Sequence, residues 1–170
     1  NVSPMQLRQK EFVHIVQDAI EQSGATGENL ELEITESLIM EDLQENVHKL
    51  AAVREMGVTV AIDDFGTGYS SLSYLARLPV NVVKIDRAFI NNLADSPENV
   101  SVVTTIISLA HFLKLKVVAE GVETEEQAKL LRLLRCDEAQ GFLYSKPMAA
   151  PEFERMLLAG GKFPWVGSQP

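Results

Sequence analysis

Short apolar runs alternate along the chain with segments whose apolar positions recur at helical spacing. Val58-Thr59-Val60-Ala61-Ile62 is continuous and β-branched, which is typical of a strand buried on both faces. Similar runs predict further strands at 30–35, 82–85, 116–119 and, more weakly, 137–141. Helical spacing predicts helices at about 4–23, from 43 to Gly57, near 70–77, from 97 past 110, from 124 to about 135, and at 151–158.

Capping signals mark three of the predicted helix starts. Ser3 precedes Pro4, and Ser96 precedes Pro97, which places a good N-cap before a proline suited to the first turn. The spacing from Thr124 to Gln127 is that of a capping box.

Alternating β and α segments with short connections imply right-handed βαβ units and a parallel sheet. Five strands are predicted, or six if Asn1 is the end of a strand that precedes the chain. A complete (β/α)8 barrel needs about 250 residues and about 200 at the least, and this chain has 170. The fold is therefore α/β, either a doubly wound open sheet or the later part of a barrel. We expect one domain over residues 1–159 and a tail over 160–170.

Composition and charge exclude several classes of protein. Hydrophobic residues make up 46% and charged residues 23%, which fits a globular chain. Twenty-four acidic against fifteen basic residues give a net charge of −9, which argues against binding to DNA or to an anionic membrane surface. No apolar run approaches the roughly 20 residues of a membrane span. The single cysteine, Cys136, leaves no internal disulfide or thiolate zinc cluster.

Acidic residues recur at the carboxyl ends of the predicted strands, where active sites of parallel α/β folds gather. One such residue is ordinarily a helix cap or a solvated loop residue. Carboxylates at four successive strand ends would repel one another unless a cation or shared protons relieved them. Oxygen ligands without histidine or cysteine favour a hard cation such as Mg²⁺ or Mn²⁺. The strand-end residues are Glu33 and Glu36, Asp63 and Asp64, Lys84 and Asp86, Glu120 and Glu123, and Gln140.

The adjacent pair Asp63-Asp64 is the most informative of these positions. Both carboxylates can face the site and bridge two metals about 3.5–4 Å apart, or Asp63 faces the site and Asp64 caps the next turn. Lys84 also has two interpretations: it orients a water or neutralises a developing oxyanion, or it forms a buried salt bridge. The glycine-rich segment 65–71 fits a tight turn, a phosphate-cradling loop or a mobile lid.

Six segments, at 31–37, 62–72, 83–86, 118–124, 140–142 and 145–147, carry ordered motifs. Together these motifs resemble the EAL domain of cyclic di-GMP phosphodiesterases. The resemblance covers about residues 1–158 and is specific, because the motifs match in order and in spacing. It implies a TIM-like (β/α)8 barrel of EAL type with a two-metal site, using Mg²⁺ or Mn²⁺, that opens cyclic di-GMP to linear pGpG.

The resemblance also implies the metal ligands. Asn1, Glu33 and Asp63 match metal-binding positions of the family, with Asp63 as the bridge between the two ions. Asp64 and Glu120 match ligands of the second metal or groups that hold the attacking water.

Four other residues acquire roles from the same resemblance. Lys84 matches the lysine that positions the attacking water. Glu36 matches the glutamate that anchors the loop 65–71, which the family uses near its dimer interface. Gln140 matches a residue close to the second metal and the substrate, and Glu123 a supporting position on the substrate side.

The chain departs from the family pattern at its front. The Glu-Ala-Leu motif, with a further metal-binding glutamate and a ligand-contacting arginine, belongs upstream of the position equivalent to Asn1. We therefore expect a truncated barrel that lacks its first strands. Low activity and self-association through an exposed sheet edge are expected of such a chain.

Three functional hypotheses remain open at this point. The first is a metal-dependent cyclic di-GMP phosphodiesterase, which the intact metal and lysine positions favour. The second is a catalytically inactive cyclic di-GMP receptor that signals through a dimer, which the missing glutamate favours. The third is an unrelated metal-dependent lyase or hydrolase. The resemblance further implies a homodimer, a cytoplasmic location, and upstream sensory or GGDEF-type domains that tether some full-length members to membranes.

Overall fold

The sheet has five strands, joined mainly by helices. The structure, a computed structural model, describes residues 1–67 and 75–160. The strands are β1 (Glu31–Thr35), β2 (Thr59–Phe65), β3 (Val82–Ile85), β4 (Lys116–Ala119) and β5 (Glu138–Ala139). The helices are α1 (Pro4–Leu7), α2 (Phe12–Ser23), α3 (Glu36–Glu41), α4 (Leu43–Glu55), α5 (Arg87–Ile90), α6 (Pro97–Phe112), α7 (Glu125–Leu133) and α8 (Ala150–Leu158), with a 3-10 turn at Gly27–Asn29.

The order of the strands distinguishes between the two architectures that the sequence leaves open. All strands are parallel, and their order in the sheet, β1-β2-β3-β4-β5, is their order in the chain. A doubly wound sheet reverses direction at a switch point, whereas each strand here is added beside the preceding one. Right-handed crossovers then place the connecting helices on one face of the sheet, which is the winding of a barrel.

The face of the sheet that meets the helices is apolar. α3 and α4 pack against β1 and β2, and α6 packs against β3 and β4. Side chains on this face are fully buried, and along each strand they alternate with residues that point to the other face, as expected of a strand with one apolar face. They are Ile34, Val60, Ile62, Val83, Ile85, Val117 and Ala119.

The opposite face of the sheet carries charged side chains among small and apolar ones. Residues in register on neighbouring parallel strands project to the same face. Glu33 pairs with Ala61, and Lys84 pairs with Val118, which in turn pairs with Glu138. Lys116 lies on this face too, with its Nζ 3.5 Å from Glu138 Oε1. Strand alternation therefore separates the packed side of the sheet from a polar inner side, whose carboxyl end holds the candidate site.

The backbone at the start of the chain lies along the edge of β1. The Val2 N–H donates to the Glu33 carbonyl at 2.8 Å. Successive carbonyls of a strand point to opposite edges. The Leu30 carbonyl accepts the Thr59 N–H of β2, and Glu33, three residues later, therefore points its carbonyl to the other edge. Val2 therefore bonds the edge of β1 that faces away from β2.

The single helix predicted over residues 4–23 is wrong, because the structure contains two helices, α1 and α2, with a break between them. Leu7 is buried, and its carbonyl accepts a hydrogen bond from Lys49 Nζ at 2.8 Å. That contact satisfies a carbonyl at the end of α1 that lacks an intrahelical partner. The polar residues 8–11 carry no hydrophobic signal that would reveal the break.

Most other predicted elements are present, with shifted ends. β2 extends three residues past the predicted end at Ile62, and β5 keeps only two of its five predicted residues. The predicted caps at Ser3, Ser96 and Thr124 are confirmed. The predicted helix near 70–77 falls mostly on residues 68–74, outside the described residues. None of the helices in the described ranges has the length and apolarity to cross a bilayer.

We predict that Gly141→Ala destabilises the protein by about 3 kcal/mol, because the added methyl group would clash with backbone atoms that cannot move aside without breaking hydrogen bonds. A Cβ at Gly141 would lie 2.2 Å from the Val122 carbonyl oxygen and 2.3 Å from its nitrogen. Val122 cannot move away, since its N–H bonds Gln140 and its carbonyl bonds Leu143. Urea unfolding measures the free-energy change.

The matched control is Gly24→Ala. Gly24 has a φ of +69° and no atom within 4 Å of its would-be Cβ. The substitution therefore costs only the left-handed backbone penalty, about 1 kcal/mol. Equal losses in the two variants would refute the steric explanation for Gly141.

Candidate metal-dependent active site

The ammonium group of Lys84 lies at the centre of a carboxylate cluster. Lys84, on β3, is only 3% exposed, and its Nζ donates a short hydrogen bond to Glu33 of β1. The same nitrogen is 2.6 Å from Glu120 Oε1 and 3.5 Å from Asp63 Oδ1. Both interpretations of Lys84 are therefore compatible with the structure, because the buried salt bridge lies inside the candidate site.

The backbone at the end of β2 turns both neighbouring aspartates toward the site. The β2–β3 register shifts between Ile62 and Phe65, and Asp64 has a φ of +54°. Bulges of this kind re-aim side chains beside active sites. Carboxylate oxygens of Asp63, Asp64 and Glu120 lie within 4.8 Å of one another. The structure thus favours the arrangement in which both carboxylates face the site, and it is the Asp64 carbonyl that accepts the Thr67 hydroxyl in the following turn.

Negative charge exceeds positive charge in this cluster. Burial raises the pKa of the Glu120 carboxyl; the hydrogen bond from Lys84 opposes this rise, and Asp63 adds to it. Burial also raises the pKa of Asp64, with further contributions from Asp63 and from a hydrogen bond with Asp86. For Lys84, burial opposes the charge, but hydrogen bonds to Glu120 and Glu33 outweigh it and raise the pKa above its usual range. Lys84 is therefore a cation at neutral pH.

Gln140 directly contacts one member of the cluster. Its backbone N–H continues the β4–β5 ladder by donating to the Ala119 carbonyl at 2.8 Å. Its side-chain Nε2 donates to Glu120 Oε1 at 2.6 Å. Gln140 is therefore hydrogen-bonded to Glu120, and the same Oε1 atom of Glu120 forms the ion pair with Lys84.

The remaining predicted residues lie outside the carboxylate cluster. Glu36 is buried at the first position of α3, and the loop it is predicted to anchor extends into residues outside the described range. Glu123 lines the cavity next to the cluster, and its N–H bonds Gln127. Asn1 is exposed beside Val2 at the edge of β1.

The predicted site omitted Asp86, which the structure places beside Asp64. Asp86 directly follows β3, caps α5 by accepting the Ala88 N–H at 2.8 Å, and contributes to the raised pKa of Asp64. The sequence signal was present, because Asp86 is a strand-end acid like the others. Its role as a cap did not exclude a position in the site.

A cavity of about 860 Å³ opens beside the cluster, above the carboxyl ends of β3, β4 and β5. Asp64 and Glu120 line one part of it. Apolar and cationic side chains line another part, including Phe142, Met148, Phe153, Arg87 and Lys146. The cavity therefore combines hard oxygen donors with aromatic and positively charged surface.

The donor set suits a divalent cation. Within the described part of the chain, Asp63 Oδ1 is buried and accepts no hydrogen bond. The Lys84 ammonium, 3.5 Å away, pairs with the charge of this oxygen but forms no hydrogen bond with it, so the oxygen keeps capacity for a further cation. The surrounding donors are carboxylates without sulfur or imidazole, which is the chemistry of Mg²⁺ and Mn²⁺ sites. The residues present therefore fit a hard metal ion.

Comparison with known proteins identifies the family. The sequence model of the EAL domain matches residues 1–147. The chain belongs to the EAL domain family. The five parallel strands are accordingly a partial EAL barrel, and the fold predicted from the sequence is confirmed.

Individual EAL proteins are similar over most of this chain. The cyclic di-GMP phosphodiesterase NbdA of Pseudomonas aeruginosa is 43% identical over 94% of the chain, which spans 20% of NbdA. The PaMucR phosphodiesterase in complex with c-di-GMP is 44% identical, with a TM-score of 0.86, over 90% of this chain and 62% of that one. A manganese and cyclic di-GMP complex of Klebsiella pneumoniae BlrP1 is 31% identical, with a TM-score of 0.77, over 84% of this chain and 36% of that one.

We predict that Asp64→Asn raises the melting temperature of the metal-free protein at pH 7. The pKa of Asp64 is raised in the fold, so its ionisation costs stability once the pH passes from the ordinary carboxyl pKa, about 4, through the raised value. Solvent screens this exposed residue, and we expect a gain of about 2 °C at pH 7 that vanishes near pH 3.

Thermal unfolding in EDTA at both pH values measures the effect. Asp18→Asn on the exposed face of α2 makes the same chemical change away from the cluster, and we expect it to give no such gain. A gain for Asp64→Asn that is equal at pH 3 and pH 7 would exclude charge repulsion as its cause.

Proposed function

We propose that this domain hydrolyses cyclic di-GMP to linear pGpG in a metal-dependent reaction. The observation that carries the proposal is a cluster of three carboxylates, Asp63, Asp64 and Glu120, with oxygens within 4.8 Å of one another. One oxygen of Asp63, Oδ1, is buried and accepts no hydrogen bond, and the charged Lys84 lies next to the cluster. Relatives named as cyclic di-GMP phosphodiesterases, and solved complexes with that nucleotide, support the choice of substrate.

In the proposal, Asp63, Asp64, Glu120 and Glu33 hold Mg²⁺ or Mn²⁺, and Asn1 completes the set at the edge of β1. The BlrP1 manganese complex supports the type of metal. When bound, the ions would polarise the phosphodiester and lower the pKa of water.

The chain's own residues provide orientation and charge. Lys84 keeps its proton at neutral pH, so it acts as a hydrogen-bond donor that orients the attacking water and offsets negative charge at phosphorus. Gln140 fixes Glu120 through its amide, which sets the direction of that carboxylate. Glu36 and Glu123 support the site from outside the cluster.

The adjoining cavity suits the rest of the substrate. The ring of Phe142 offers a stacking surface for a guanine base, with Lys146 Nζ 5.8 Å from the ring centre. Arg87 lines the same cavity and can donate to phosphate or guanine oxygens. The volume of about 860 Å³ is within the range of nucleotide-sized sites.

The proposal extends to the larger protein. The curated relatives are several times longer than this chain, which covers 20% of NbdA and 22% of MucR. We propose that the domain works in the cytoplasm as a homodimer, attached to further sensory or GGDEF-type domains.

We predict that Asp63→Asn lowers pGpG formation by more than about 100-fold while the fold is retained, because a shared metal ligand is lost. Cyclic di-GMP is incubated with Mg²⁺ or Mn²⁺, and pGpG is followed by chromatography. The assay uses this chain and the longest natural polypeptide that contains it. Circular dichroism checks that the variant is folded.

Asp18→Asn on the outer surface of α2 is the matched control, and we expect wild-type turnover. Turnover that Asp63→Asn leaves unchanged would remove Asp63 from the site. Binding of cyclic di-GMP without turnover by either wild-type polypeptide would refute the phosphodiesterase and favour a receptor.

A further inference from the structure

The buried side chain of Gln127 makes four hydrogen bonds to backbone groups. Its Oε1 accepts from the N–H groups of Glu123 and Thr124, at 2.8 and 3.0 Å. Its Nε2 donates to the carbonyls of Ile90 and Asn91, at 3.1 and 3.2 Å. An amide has two lone pairs and two N–H donors, so the hydrogen-bonding capacity of Gln127 is fully used.

Only the two bonds to Oε1 lie at the start of α7, and one of them, from the Thr124 N–H, belongs to its capping box. A capping box needs the Thr124 hydroxyl, which accepts the Gln127 N–H, and the Gln127 oxygen, which accepts the Thr124 N–H. The two bonds from Nε2 contribute nothing to that cap. They reach the end of α5, a separate element that precedes α7 by more than thirty residues.

The two segments that Gln127 joins both contribute to the cavity beside the carboxylate cluster. The segment after β3 supplies Asp86, Arg87 and Asn91, and the segment after β4 supplies Glu120 and Glu123. They also touch near Gly121, where a Cβ would lie only 2.6 Å from that of Arg87. Their relative position therefore affects the distance between Asp86 and Glu120, which line opposite sides of the cavity.

We infer that Gln127 is a positioning residue that clamps the segment after β3 to the segment after β4 and so holds the two sides of the active-site cavity in register. It touches neither the predicted metal ligands nor the cavity, and acts only through backbone groups. The clamp itself follows from the hydrogen bonds, whereas its effect on turnover rests on the proposed function.

Gln127→Glu separates the clamp from the helix cap. Glutamate at this position retains the capping box, because its oxygen still accepts the N–H groups of Glu123 and Thr124. It loses the donors to Ile90 and Asn91 and places a carboxylate against their carbonyls. Gln127→Met removes both the bonds to Oε1 and the bonds from Nε2. Gln44→Glu, on the exposed face of α4, makes the same chemical change away from the clamp.

We predict a selective loosening in Gln127→Glu, measured by amide hydrogen exchange. Exchange rises over residues 87–93, where the N–H groups of Asn91 and Leu93 bond within α5 and just after it. Residues 123–124 stay protected in Gln127→Glu and lose protection in Gln127→Met. Wild-type exchange over 87–93 in Gln127→Glu would overturn the clamp.

Kinetics then test whether the clamp positions the active site. We expect kcat of Gln127→Glu to fall about 10- to 100-fold with a smaller change in KM, since displacements near 1 Å cost this much. Gln44→Glu keeps the wild-type kcat. Faster exchange over 87–93 with an unchanged kcat would overturn the positioning role. If the wild-type protein has no turnover, the proposed function fails, and the exchange pattern alone decides whether Gln127 joins the two segments.

Discussion

A single buried ammonium joins the carboxyl ends of four strands. Lys84 extends from β3 and contacts Glu33 of β1, Asp63 of β2 and Glu120, which directly follows β4. Burying such a group is expensive, and its ion pairs recover that cost only when the geometry is good. The positive charge of Lys84 holds these acids close together, because without it the carboxylates at these strand ends would repel one another. Its one positive charge still leaves the cluster negative, so the arrangement that holds the strand ends together also has the charge that a divalent cation requires.

The pattern of the chain predicts the elements better than it predicts their ends. β3 and β4 lie where their apolar runs place them, because a buried strand leaves a direct compositional signal. At the break after Leu7, the free carbonyl is satisfied by Lys49, which is far away in sequence, and no local pattern encodes that contact. α3 and α5 have six and four residues, too few for a helical periodicity to emerge.

Strand-end position and motif select the candidate site residues, but they do not predict the contacts among them. The carboxylate of Asp64 lies within 4.8 Å of those of Asp63 and Glu120 at a bulge with a left-handed backbone, which adjacent aspartates alone do not imply. The bond from Gln140 to Glu120 requires β5 to pair in one register with β4. Gln127 illustrates the same limit: its capping box is readable from Thr124, whereas its bonds to the end of α5 exist only in the folded chain.

The sequential order of the strands also bears on how the chain folds. Each strand pairs with the strand made just before it, so every ladder closes a loop of one βα unit rather than a loop spanning the domain. Closing short loops costs less chain entropy and speeds folding. During synthesis, each emerging strand finds its neighbour already made, and the sheet can grow in the direction of translation. In this order, Lys84 can contact Glu33 and Asp63 once β3 has paired, whereas its contact with Glu120 forms only after the fourth strand has been made.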